Sequence, residues 1–105
     1  WLLSSGPTPP NPADLLGGRR MEELLAKLAA QADIVLLDAP PVVAAADAAI
    51  LGAKADGVLL IIQAGRTRRD QSERARELLE QAKARIVGVA LTNAPRESGA
   101  AEYYG

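Results

Sequence analysis

Asp33-Ile34-Val35-Leu36-Leu37-Asp38-Ala39-Pro40-Pro41 is the stretch from which the fold can be read. Four consecutive apolar residues without alternation suit a strand covered on both faces, as in parallel sheets, better than a half-solvated antiparallel one. Pro40 and Pro41 cannot extend an inner ladder, because each lacks an amide donor, so the strand ends at Asp38. Two later stretches repeat the pattern, Gly57 to Gln63 (GVLLIIQ) and Ile86 to Thr92 (IVGVALT). Three parallel strands are predicted.

Helical periodicity fills the intervals. Met21, Leu24, Leu25 and Leu28 recur at i, i+3, i+4 and i+7 with Arg, Glu and Lys between them, which predicts an amphipathic helix over Arg19 to Gln31. The alanine-rich stretch from Ala44 to Ala53 reads as a second helix with little polar surface, suited to burial. The Asp47 carboxylate within it is costly unless paired or exposed and is read as a helix N-cap in preference to a direct role in the site. Ala75, Leu78, Leu79 and Ala82 give the same stripe after Thr67 to Asp70, whose spacing is that of a capping box, and predict a helix over Arg68 to Lys83. Upstream, Ser4 to Asn11 holds three prolines and a glycine and reads as an extended loop. Asn11 and Pro12 then suit the cap and first position of a short helical turn to Leu16. Strands alternating with helices call for right-handed crossovers and an α/β fold: a parallel sheet with flanking helices.

Composition narrows the function classes. A chain of 105 residues fits at most one small domain and buries only a modest core. Net charge is -1, which gives no reason to expect nucleic acid as a partner. With neither Cys nor His, the chain lacks disulfides and the two usual zinc ligands, and a reducing cytosol fits. Its longest apolar runs fall far short of the roughly 20 residues needed to span a bilayer.

In an open parallel sheet, ligands bind at the carboxyl ends of the strands, so Asp38, the loop Gln63 to Thr67 and Asn93 are predicted to share one functional edge. Four apolar residues ending in aspartate form the Walker B pattern, whose carboxylate binds or orients Mg²⁺ near nucleotide phosphates. The same run also describes a strand meeting a turn, which Asp favours, and the spacing alone leaves both readings open. Asn93-Ala94-Pro95 is equally a turn signal. Arg66, Arg68 and Arg69 could attract phosphate or a phosphorylated tail, although such runs commonly form a solvated helix start.

The stretch Asp33 to Pro41 resembles the D-h-h-h-h-D-[TS]-P-P segment of the bacterial tyrosine autokinases that control exopolysaccharide export. Gly6-Pro7-Thr8-Pro9-Pro10-Asn11-Pro12-Ala13-Asp14-Leu15-Leu16 is similar to the G-x-x-P-P-N-P-x-[ED]-L-L element upstream of it in that family. Ala46-Asp47-Ala48, Asp56 to Leu60, and Ala64-Gly65-Arg66-Thr67 before a charged helix also match. The combination is far more specific than any one part.

The resemblance implies a P-loop NTPase-like fold of the deviant Walker A type, of which residues 1–96 would be the C-terminal half and residues 97–105 a flexible tail. It implies an ATP-dependent tyrosine autokinase regulating exopolysaccharide or capsule synthesis and export. Asp38 would be the catalytic and Mg²⁺ carboxylate, in contact directly or through water, and Asn93 the adenine contact. Tyr103 and Tyr104 would be acceptors phosphorylated in trans within a homo-oligomeric ring. The implied partner is a membrane chain-length regulator, fused or separate, and the implied location is the cytoplasmic face of the cell membrane. Ala39 departs from the family's usual Thr or Ser. No G-x-x-x-x-G-K-[ST] loop occurs, since Lys27, Lys54 and Lys83 are followed by Leu, Ala and Ala. That loop and a second aspartate are expected before Trp1, with the phosphate-loop strand between Asp33–Asp38 and Gly57–Gln63. The 105 residues alone are expected to be inactive. The competing readings are a partitioning or septum-placement ATPase without kinase activity, and a non-catalytic module of the export machinery.

Overall fold

Six regular elements follow one another in a computed structural model that describes residues 1–95: α1 (Pro12–Gly17), α2 (Arg19–Gln31), α3 (Asp47–Lys54), β1 (Val58–Gln63), α4 (Arg69–Gln81) and β2 (Ile86–Thr92). The two strands pair in parallel, with Ile61 opposite Ala90 and Gln63 opposite Thr92, and one register shift between Val58 and Leu59. A parallel pair cannot be closed by a tight turn, and α4 is the crossover that joins them. The α/β class, a parallel sheet with flanking helices, is therefore present.

The core lies where α3 and α4 meet the strands. Leu51, Ala75, Leu79 and Ala84 are its buried apolar residues. Gly52 makes the approach of α3 possible: a Cβ there would lie 3.0 Å from Val58 Cγ2 and 3.2 Å from Ala84 Cβ, closer than ordinary contact. Gly57 is held to glycine more strictly, because its Cβ would come within 2.4 Å of Val87 Cγ1. On one face of the sheet Leu60, Ile62 and Val89 border a cleft with Ser72, Glu73 and Arg76 of α4. Leu59 meets Gly88 on the other face, where Leu59 and Ile61 are exposed.

Three predicted features are corrected. Residues 34–37 are extended but join no ladder, so two strands are paired instead of three, with a gap where the resemblance expects a further strand between Asp33–Asp38 and Gly57–Gln63. Their exposures, 77% for Ile34, 36% for Val35, 90% for Leu36 and 36% for Leu37, alternate as a one-sided strand does. The apolar run supplies β character, but hydrogen bonding needs a neighbour, and among the described residues none lies alongside. The alanine-rich helix starts at Asp47, because Ala44 and Ala45 donate their amides to the Pro41 carbonyl in a turn. Asp47 is consequently the first helical residue after an Ala46 cap, where its charge favours the helix dipole without capping a donor. Asn11 likewise leaves the α1 amides uncapped by its side chain.

Candidate functional site

The carboxyl edge of the β1–β2 pair is built from short-range hydrogen bonds. Ala64 N–H donates to Thr92 O at 2.9 Å, which carries the ladder one residue beyond β1 and ties the loop after β1 to the end of β2. The loop then reverses. Gly65 adopts φ +74°, a left-handed conformation that glycine enters freely, and Arg66 and Thr67 both donate their amides to Gln63 O. Thr67 Oγ1 closes the turn from the other side by accepting the Gln63 N–H at 3.0 Å. The hydroxyl predicted to open a capping box thus locks the loop. The helix start is served by Gln71 Oε1, which accepts the Arg68 N–H at 3.1 Å.

Asn93 follows β2 directly, with φ +58°. Asn tolerates that region better than most side chains, so a backbone requirement accounts for part of its presence. The side chain is exposed at the same edge as the Gly65 turn. Asp38 ends the unpaired segment 34–37 and is exposed as well. Among the described residues its carboxylate enters no hydrogen bond or ion pair. No hydrogen bond joins Asp38 to Asn93. The sheet edge therefore unites Gln63–Thr67 with Asn93, while Asp38 stands on a separate strand-like segment. Tyr103 and Tyr104 lie outside the described residues.

Between that segment and the body of the fold is an open cavity of about 500 Å³, lined by Leu25 and Ala29 of α2, Val35, Leu37, Ala55 and Asp56. Lys54, only 16% exposed, reaches Glu22 across its rim. This pair, 32 positions apart, has no local sequence signal. The hydrogen bond from Lys54 and its positive charge, with Arg19 adding a smaller effect, hold the Glu22 carboxyl below its ordinary 4.5.

The donor set can be tested against the magnesium that a Walker B residue implies. Among the described residues no cluster of three or more His, Cys, Asp or Glu is arranged to cage a metal. Mg²⁺, however, takes one or two carboxylates and completes its octahedron with water and phosphate oxygens, and an unengaged Asp38 fits that kind of site. Also among the described residues, no helix is long and apolar enough to cross a membrane.

No family model matches the chain. Individual proteins do. The tyrosine-protein kinase YwqD of Bacillus subtilis (strain 168) is 44% identical over 102 residues, 97% of this chain and 43% of that protein. The crystal structure of the VpsO kinase domain superposes with a TM-score of 0.80 and 33% identity, over 89% of this chain and 46% of that one. That of the chimerical protein CapA2B2 gives 0.83 and 31% identity, over 90% and 42%. The chain thus spans less than half the length of each, and its α/β architecture, P-loop NTPase-like, is shared with both structures. With the similarity running through nearly all of its residues and shared by sequence and fold, the chain belongs to the bacterial tyrosine-protein kinase family.

Proposed function

We propose that the intact protein containing these residues transfers phosphate from ATP to tyrosine and so regulates exopolysaccharide or capsule synthesis and export. The observation that carries this reading is the 44% identity to a tyrosine-protein kinase along 97% of the chain. Phosphoryl transfer asks the protein mainly for positioning and for neutralising charge around the γ-phosphate. In that scheme Asp38 holds Mg²⁺, which when bound screens the phosphate charge. Asn93 offers its amide to the adenine edge, and Tyr103 and Tyr104 accept phosphate from a neighbouring copy in a ring. The phosphate loop comes from chain beyond these residues, whose strand fills the gap beside residues 34–37. The free backbone of that segment and the apolar walls of the adjacent cavity support such an insertion. A membrane chain-length regulator, fused or separate, activates the kinase at the cytoplasmic face of the membrane.

Incubating the intact protein with γ-labelled ATP should put label on tyrosine; ATP consumed with all label released as free phosphate would favour a plain ATPase instead. The role of Asn93 separates from its turn by a pair of variants. Asn93→Gly keeps the left-handed backbone and removes the amide, so it should weaken ATP binding about tenfold, the worth of one or two hydrogen bonds, with little change in melting temperature. Wild-type affinity in Asn93→Gly would reduce Asn93 to a turn residue.

A further inference from the structure

Three arginines follow β1 within four positions, and the structure gives them different employment. Arg68 Nε donates to Asp70 Oδ1 at 3.1 Å, and Arg69 Nε to Glu73 Oε1 at 3.3 Å, so both guanidinium groups already face a carboxylate. Arg66 has no ion-pair or side-chain hydrogen-bond partner among the described residues. It is also the arginine on the locked turn: its own amide is bonded to Gln63 O at 3.2 Å, and Gly65 and Thr67 fix the residues on either side. That turn is tied to β2 one residue before Asn93, through Ala64 N–H and Thr92 O. The fold therefore presents an unneutralised guanidinium from a pre-formed loop at the carboxyl edge of the parallel pair, where ligands of such sheets bind.

We infer that Arg66 binds a phosphate group at this edge, as a positioning residue of the proposed transfer reaction. The inference rests on the kinase reading, which brings phosphate to this edge from two sources: the terminal phosphates of the nucleotide and the phosphate on a modified tyrosine tail. Both present the tetrahedral oxygens that a guanidinium fork grips by two parallel hydrogen bonds, a geometry that an ammonium group does not reproduce. Arg68 and Arg69 are poorer candidates despite equal charge, because each would first have to leave its carboxylate. Holding the loop rigid lowers the entropy lost on capture, which is the use of the Thr67 and Gly65 contacts.

The test uses the intact protein and two probes: a non-hydrolysable ATP analogue, and a peptide of residues 97–105 phosphorylated on tyrosine, with its unphosphorylated form as control. Arg66→Ala should weaken at least one phosphate-bearing probe about tenfold, the range of a charge-assisted hydrogen bond, and leave the unphosphorylated peptide unchanged. The probe that loses affinity identifies the source of the phosphate. Arg66→Lys should recover only part of the loss, and Arg69→Ala, the paired neighbour, should change either affinity less than twofold. Unaltered binding of both probes by Arg66→Ala overturns the inference, as does an equal loss in Arg69→Ala, which would reduce the effect to general positive charge. These binding measurements need no turnover, so they can fail while tyrosine labelling succeeds, and the reverse.

Discussion

Leu79 and Leu36 are the same side chain in two regions of one molecule, and their exposures are 1% and 90%. Leu79 belongs to the unit from α3 to β2, which holds every buried apolar residue of the described chain: Leu51, Ala75, Leu79 and Ala84. Leu36 belongs to the region before it, where neither α1 nor α2 has a buried residue and the 34–37 segment pairs with nothing. Both regions carry strong apolar patterns. What separates them is whether the partner of the pattern is present: Leu79, Val58 and Ala84 converge on Gly52 of α3, whereas an open cavity lies beside Val35 and Leu37. Hydrophobic pattern thus specifies what a segment can bury, and topology decides whether it does.

The largest effect should come from breaking the packed region. Leu79→Ala removes most of a fully enclosed side chain and should cost about 2–5 kcal/mol in urea unfolding, in the 105-residue chain and in the intact protein alike. Leu36→Ala sharpens the contrast. It should cost less than about 0.5 kcal/mol in the 105-residue chain and, once a neighbouring strand covers it, about 2–3 kcal/mol in the intact protein. Equal small losses in both would mean that residues 34–37 stay bare. Next comes Gly52→Ala, whose Cβ must displace Val58 or Ala84 and should cost about 1–3 kcal/mol, although alanine is the better helix former.

The smallest effect concerns the link between the regions. Because Lys54 lowers the Glu22 pKa, this pair stabilises the fold above about pH 4.5 and loses its contribution as pH falls through the lowered value. The difference in melting temperature between wild type and Glu22→Gln should therefore be present near pH 6 and shrink as pH falls below 4.5 through the lowered value. A difference that does not change with pH across the acid range would show that the carboxylate charge is not what joins α2 to α3.

The sequence made the elements legible to the extent that their cause is local. α2 falls on its apolar stripe and both paired strands on their apolar runs, but those runs predict cover on both faces, whereas Leu59, Ile61, Val87, Val89 and Leu91 are exposed. Residues 34–37 carry the same signal as β1, yet a ladder depends on a second chain segment that no local pattern contains. The start of α3 was misread because alanine content does not register that the Pro41 carbonyl captures the amides of Ala44 and Ala45 first. At the site, Asn93 and the Gln63–Thr67 loop could be assigned to one edge from strand parallelism alone. The lock by Thr67 could not, since its hydroxyl had an equally good local use as a helix cap. The sorting of the three arginines is partly local, since Arg69 and Glu73 stand four apart on α4 while Arg66 lies on the loop before it.

The proposed role of Asp38 as the carboxylate of a kinase's magnesium site is tested most directly by the rate at which phosphotyrosine appears on Tyr103 and Tyr104 in intact wild type and Asp38→Asn, followed by peptide mass mapping in MgATP. The amide keeps the size of the side chain and removes its charge, so the rate should fall by about 10²–10³, as for loss of one electrostatic stabiliser, at unchanged melting temperature. Phosphotyrosine forming in Asp38→Asn at the wild-type rate would contradict it.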